Sequence, residues 1–309
     1  MRTLKDIILQ CEGITKQYTN TRALDRVDMQ IGRGEIYGFI GENGAGKTTL
    51  LRVITGLISR TEGSISLFGE SDETGLARGR KRIGCIVEGP AFYPYLSAAD
   101  NLEYYRIQRG YPDKNCIPQA LKMVNLENTG KKKFQQFSLG MKQRLGVALA
   151  IMGKPDFLIL DEPINGLDPS GIVEFRQMLK TLSREYGMTI LISSHILNEL
   201  EKVADRYGIV HQGRLVKEFT QAQLEQDTRR YLAIKVGDAS DAAAILEQKL
   251  GIKEYEVLPG NELRVYTYLD KSADITFQLA SNQVKVISIK EMGSTLENYF
   301  LTAIGRNKN

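Results

Sequence analysis

Gly41-Glu42-Asn43-Gly44-Ala45-Gly46-Lys47-Thr48 lies between an apolar run, Ile36 to Ile40, and a stretch from Lys47 to Ile58. That stretch places Leu50, Leu51, Ile54, Leu57 and Ile58 at helical spacing. The octapeptide fits G-x-x-x-x-G-K-[ST] in the strand–turn–helix context the pattern requires. Its residue types answer to a chemistry. Glycines let backbone N–H groups turn inward around phosphate oxygens, and the helix that follows aims its positive end at them. Lys47 supplies a mobile cation for β- and γ-phosphates, and Thr48 a hydroxyl for Mg²⁺.

Outward from this turn, continuous apolar strands alternate with helices. Ile7 to Cys11, Phe157 to Leu160 and Met188 to Ile192 read as strands. Strands without polar alternation are covered on both faces, which predicts a largely parallel sheet between helices, an α/β fold. Asp161-Glu162 follows the second run. An Asp at the C-terminal end of a buried strand lies where open α/β sheets bind ligands. There Asp161 would hold Mg²⁺ through water, and Glu162 would orient or deprotonate an attacking water. Ser138 reads as the cap of a helix running from Met141 to Met152, and Asp168, with Pro169 at the first helical position, as the cap of the next.

From Pro90 to about Gly130 the pattern turns to helices and loops punctuated by Pro94, Pro112 and Pro118, an insertion between core strands. The expected domains are 1–220, with a helical subdomain at about 90–152, and 221–309. In the second, Arg230–Val236, Glu254–Leu258, Leu263–Tyr268 and Val284–Ile289 read as strands, with helices at Ala239–Leu250 and Ala273–Ala280. Pro259-Gly260-Asn261 is a hairpin signal. The order β-α-β-β-α-β predicts a small ferredoxin-like α+β domain. A closing helix, Ser294 to Ile304, gathers Leu296, Tyr299, Phe300 and Leu301 on one face.

Composition bounds these readings. The chain has 309 residues, 42% hydrophobic and 25% charged, which is ordinary globular usage. Lys and Arg number 41 against 37 Asp and Glu; a net charge of +4 carries no argument for nucleic acid, and none is expected as a partner. Cys11, Cys85 and Cys116 stand apart, which argues against a disulfide framework and for three small core residues in a reducing, cytoplasmic compartment. Charges come too early at the N-terminus for a signal peptide. No charge-free stretch approaches the ~20 apolar residues of a membrane helix.

With these motifs placed, Ile7 to Gln212 resembles an ATP-binding-cassette (ABC) nucleotide-binding subunit, a fold with a RecA-like parallel core, an antiparallel β subdomain and a helical subdomain. Three further motifs follow in family order. Phe137-Ser138-Leu139-Gly140-Met141 stands where the family has Leu-Ser-Gly-Gly-Gln, Gly166-Leu167-Asp168 matches the loop after the catalytic Glu, and His195 after Ser193-Ser194 matches the switch histidine. Tyr18 matches the aromatic that stacks on adenine. The resemblance implies ATP and Mg²⁺, with Thr49 near the α-phosphate and the whole run of Gly41, Glu42, Asn43, Gly44, Ala45, Gly46, Lys47 and Thr48 around the phosphates. It implies two cassettes closing head to tail. Tyr18, the phosphate loop, Glu88, Asp161, Glu162 and His195 come from one, and Ser138, Gly140 and Asp168 from the other. Catalysis falls to Glu162, His195 and Lys47, and the metal to Thr48, Glu88 and Asp161.

Two departures stand out. The signature has Leu139 and Met141 where the family has Gly and Gln, and the loop glutamine is Glu88. Together they resemble the bacterial exporters of bacitracin and lantibiotic peptides. The implied machine is an export motor, peripheral on the inner face of the membrane, working through a separate membrane-spanning subunit. That subunit would meet Gly89 to Gln136, where Phe92, Tyr93, Tyr95, Tyr104 and Tyr105 supply either contact area or internal packing. Lys131-Lys132-Lys133 reads as a solvated run or as a contact to an anionic membrane surface. The alternative function is a soluble ABC-type ATPase acting on a ribosomal, nucleic-acid or assembly complex. His211 matches no motif and reads as a strand residue.

Overall fold

The computed structural model describes residues 6–87, 89, 91–195, 200–293 and 296–305. The chain divides into two compact units, Met1–Gln221 and Ala222–Asn309.

The first unit is built on a six-stranded sheet. Its strands are β3 (Ile36–Ile40), β5 (Ile83–Ile86), β6 (Phe157–Asp161), β7 (Thr189–Ser194), β8 (Arg206–His211) and β9 (Arg214–Thr220), in the order β5-β6-β7-β3-β8-β9. All pairs are parallel except β8–β9. Every residue of β3 and β7 is buried, as strands covered on both faces require. Tyr37, at the centre, donates from its hydroxyl to Glu218 Oε1 at 2.6 Å and ties β3 to β9. Burial, with Glu218 beside it, pushes this phenol well above its usual range. Deleting the hydroxyl would cost about 1.5–3 kcal/mol, because the acceptor is charged.

A separate antiparallel sheet carries β1 (Ile7–Gln17) between β2 (Arg22–Gly32) and β4 (Glu62–Leu67). β2 alternates: Val27, Met29 and Ile31 are buried while Arg26, Asp28 and Gln30 face out, the pattern of a one-sided sheet. Its inner face packs with Leu50, Leu51, Val53 and Ile54 of α1 (Lys47–Thr55) in one core. Gly56 ends α1 in the left-handed region at φ 79°, so the helix stops before Leu57 and Ile58, which its apolar spacing had included; Leu57 is exposed.

Among the described residues the unit also has α2 (Glu73–Arg80), α3 (Ala98–Gln108), α4 (Cys116–Met123), α5 (Leu139–Ile151) and α6 (Pro169–Arg184). Ser97 and Asp100 form a capping box on α3. The aromatics near α3 divide. Phe92 is buried against Tyr105 and Phe134, whereas Tyr93, Tyr95 and Tyr104 are exposed. The cysteine expectation needs correction: Cys11 and Cys116 are buried, but Cys85 is exposed, because β5 is the edge strand of the core sheet.

α7 (Gln221–Thr228) starts at the last residue of the first unit, and the rest of it opens the second. There follow β10 (Tyr231–Val236), α8 (Ala239–Leu250), β11 (Tyr255–Leu258), β12 (Glu262–Val265), α9 (Ser272–Ser281), β13 (Val286–Met292) and α10 (Leu296–Ala303). The antiparallel order β11-β12-β10-β13 is the split β-α-β arrangement expected from the sequence. Leu232, Ile234 and Val236 of β10 pack with Ala242, Leu246, Ile275 and Leu279 of the two helices. Gly260 and Asn261 turn the β11–β12 hairpin at φ 86° and 58°.

Candidate nucleotide site

Parallel register brings the site together. Ile40 pairs with Ser194, and Asp161 with Ser193, so the turns after β3, β6 and β7 open at the same edge of the sheet. Ile86 pairs with Leu160, which sets the end of β5 beside that of β6. Glu88 itself lies outside the described residues.

The phosphate loop leaves little room for side chains. A Cβ on Gly41 would lie 2.6 Å from the Val210 carbonyl oxygen, and one on Gly46 would lie 2.7 Å from that of Ala23. Gly46 also has φ 108°, so both space and conformation demand glycine there. The Lys47 ammonium is buried and donates to the carbonyls of Gly41 and Glu42 at 2.7 and 3.1 Å, folding the loop around itself.

Asp161 accepts on both oxygens: from Thr48 Oγ1 at 2.6 Å and from Ser193 Oγ at 2.5 Å. Ser193 Oγ in turn accepts from the Glu162 amide at 2.9 Å. Sequence reasoning did not single out Ser193; the available signal is a hydroxyl inside a fully buried strand, two residues before His195. Glu162 has φ 48°, left-handed for a residue with a side chain, a conformation that must be held by its surroundings. Its Oε2 faces His195 Nδ1 at 2.7 Å. Its Oε1 lies 3.1 Å from Lys47 Nζ in an ion pair without hydrogen-bond geometry, and this buried oxygen has no hydrogen-bond partner.

Thr48, Thr49, Asn43, Gly44, Gly46, Lys47 and Glu162, with Ala23 opposite, line a cleft of about 190 Å³. A glycine-rich turn at a helix start, a buried ammonium and a carboxylate oxygen that accepts no hydrogen bond fit a polyphosphate and the water that attacks it. For a divalent ion the fit lies in hard oxygen donors, the Thr48 hydroxyl and the Asp161 carboxylate, completed by phosphate and water as Mg²⁺ requires. No cluster of three or more His, Cys, Asp or Glu able to hold a metal occurs among the described residues.

Ser138, Gly140 and Asp168 do not line this cleft. Ser138 caps α5, accepting from the Met141 amide at 3.2 Å, and Asp168 caps α6, accepting from the Gly171 amide at 3.3 Å. The Ser170 hydroxyl, and then the Gly171 amide, hold the Asp168 carboxyl below its usual range. The two caps are neighbours: a Cβ on Gly166 would meet Leu139, and one on Gly140 would meet Leu167. Tyr18 sits in the turn after β1, exposed, with Lys16 Nζ 5.1 Å from its ring centroid. His211 ends β8, with Nδ1 3.7 Å from Glu42 Oε2, which places it beside the phosphate loop.

Such a core and such a turn define a P-loop protein that binds nucleoside triphosphates. The ABC transporter family model matches residues 24–165. The bacitracin transport ATP-binding protein BcrA of Bacillus licheniformis is 41% identical over 96% of this chain and 97% of its own. The lantibiotic transport ATP-binding protein SrtF of Streptococcus pyogenes is 43% identical over 68% of this chain and 90% of its own. Among solved structures, the ATP-binding cassette MJ0796, a dimer in a post-hydrolysis state bound to ADP and phosphate, matches 69% of this chain and 99% of its own. Its identity is 26% and its TM-score 0.61. The chain therefore belongs to the ATP-binding subunits of ABC transporters and is an ATPase. A soluble role on ribosomes or nucleic acid is not favoured, since these relatives are named for transport.

Proposed function

We propose that this chain drives a membrane exporter of peptide antibiotics of the bacitracin kind, as one of a pair of cassettes bound to a separate membrane-spanning subunit. The observation that carries the mechanism is the linked set Thr48–Asp161–Ser193–Glu162–His195, with Lys47 against Glu162. Lys47 and the amides of residues 41–48 grip the phosphates, with Thr49 at the α-phosphate and Tyr18 against adenine. Thr48 and Asp161, with Glu88, hold Mg²⁺, which when bound neutralises charge building on the phosphate oxygens. Glu162 accepts the proton of the attacking water as that oxygen bonds to the γ-phosphorus and the bond to ADP breaks. His195, hydrogen-bonded to Glu162, keeps that carboxylate aimed.

Ser138, Gly140 and Asp168 serve the partner cassette's nucleotide, which accords with their place away from this chain's own cleft. Closure then excludes water and does mechanical work, and hydrolysis resets it. The membrane subunit docks a helix in a groove of about 570 Å³ whose lining includes Leu57, Ile58, Cys85, Tyr105 and Leu149, with Arg52 and Arg109 also on its walls. The exposed Tyr93 and Tyr104, in ring contact with each other and through Tyr104 with Tyr105, extend that surface. No helix among the described residues is long and apolar enough to cross a membrane; the separate spanning partner and the peripheral place at the inner face follow from the transport role for which the relatives are named. The cargo class is supported by BcrA, whose match extends over both units of this chain.

Glu162→Gln tests the core of this reading. With ATP and Mg²⁺ the variant is expected to elute as a dimer in size-exclusion chromatography. Its turnover should fall on the order of 10²–10⁴-fold, the usual worth of a general base. A monomer with near-normal turnover would contradict it. Co-purification with a membrane subunit, and turnover stimulated by bacitracin, check the partner and the cargo.

A further inference from the structure

Asp25 lies in β2 and is only 6% exposed, although it is charged. A carboxylate out of water needs partners, and three arginines converge on it. Arg22 Nη1 donates to Oδ1 at 2.9 Å, Arg214 Nε donates to Oδ2 at 2.6 Å, and Arg26 Nε is 3.7 Å from Oδ1. The guanidinium of Arg214, then that of Arg22, holds this carboxyl below its usual range, so it is ionised at neutral pH.

Three segments of the nucleotide site meet at this one group. Arg22 Nε also donates to Gln17 Oε1 at 3.4 Å, and Gln17 Nε2 donates to the Tyr18 carbonyl at 2.9 Å. The Tyr18 amide closes the same turn by donating to the Thr21 carbonyl at 2.8 Å. The Asp25 amide donates to the Gly213 carbonyl at 2.8 Å, and the Gly213 amide donates to the Ala45 carbonyl of the phosphate loop at 2.9 Å. Gln212 and Gly213, at φ 48° and 78°, form the two-residue turn between His211 and Arg214, a stiff hairpin that presents Arg214. The Ala23 carbonyl, two residues before Asp25, lies 2.7 Å from where a Cβ on Gly46 would stand. Tyr18 itself is 45% exposed and has little packing to hold it.

We infer that Asp25, with Arg22 and Arg214, is a positioning clamp that sets the Tyr18 turn against the phosphate loop and so determines how firmly the base end of the nucleotide is held. The clamp rests on the reading of Tyr18 as the residue that stacks on the base. Because the phosphate loop folds around Lys47 by its own hydrogen bonds, the clamp governs the base end and leaves the phosphate grip intact. An aromatic platform for a base is worth about 5- to 150-fold in affinity, and a displaced platform forfeits part of that.

Calorimetric titration of the full chain with ATP and with inorganic tripolyphosphate, each with Mg²⁺, tests the clamp. Asp25→Asn is expected to raise the ATP Kd about 5- to 50-fold and to move the tripolyphosphate Kd less than twofold. Arg214→Gln and Arg22→Gln change the same ratio in the same direction. These side chains are 62% and 56% exposed, so they keep the comparison open should Asp25→Asn fail to fold. Equal weakening of both ligands marks a merely structural role and overturns the proposal, as does unchanged ATP affinity. Tyr18→Ala, run in parallel, separates the two failures. If it leaves ATP affinity unchanged, the stacking reading falls and the clamp with it. If it weakens ATP while the clamp variants do not, the clamp alone is wrong.

Discussion

Ser193→Ala removes one oxygen atom from a fully buried position, yet two groups of the site each lose a hydrogen bond. The Asp161 carboxylate loses a donor at 2.5 Å, and the Glu162 amide loses an acceptor at 2.9 Å. A hydrogen bond to a charged group contributes about 1.5–3 kcal/mol, and an amide left unsatisfied costs about 1–3. The two share one network and do not add fully, so about 3 kcal/mol is expected. For a domain of this size that corresponds to a melting point lower by roughly 6–12 °C. The amide being released also holds Glu162 in its left-handed conformation at φ 48°. Freed, the carboxylate drifts from the attacking water, and misplacement by about 1 Å costs on the order of 10²-fold in turnover. Thermal unfolding and phosphate release measure the two effects on one preparation, and Ser193→Cys, with its weaker donor, should fall between. A Ser193→Ala protein that melts within about 2 °C of the parent and turns over within about twofold would refute the reasoning, since both figures lie below the expected losses.

Two further outcomes follow from groups near the site. As a metal ligand, the role the resemblance implies for it, Glu88 would bring a third carboxyl group to the ion beside Asp161 and Glu162. Glu88→Gln is therefore expected to keep a severalfold larger fraction of its full turnover at limiting Mg²⁺, and an unchanged Mg²⁺ titration would refute this. Among the cysteines, native labelling with a maleimide should modify Cys85 alone, and denatured chain should take three labels. Burial pushes the Cys11 thiol up to about 12, and partial desolvation by the groove walls raises the otherwise exposed Cys85 thiol above its usual range. The thiolate is the nucleophile, so Cys85 labelling should be slow at neutral pH and quicken as pH rises. Assembly with the membrane subunit should suppress it; labelling that is indifferent to assembly would contradict the groove as the docking site.

The residue pattern alone determined the features that are local in the chain. The phosphate loop is legible in residues 41–48 because a tight turn of backbone amides needs glycine at set positions, and Gly46 shows both reasons at once. Ser138 and Asp168 are legible as caps because a cap is satisfied within three residues. The fully buried runs of β3 and β7, and Phe157 to Leu160 of β6, announce a parallel sheet for the same local reason. What only the tertiary structure decided is who stands beside whom. Buried strands share one apolar code, so the order β5-β6-β7-β3-β8-β9 is not written in any of them. That order puts Ser193 opposite Asp161, brings the β8–β9 turn against Ala45 and Asp25, and leaves Cys85 on an edge. Hydrophobic periodicity reports which side of an element faces inward, and it is blind to the long-range pairing that chooses the neighbour.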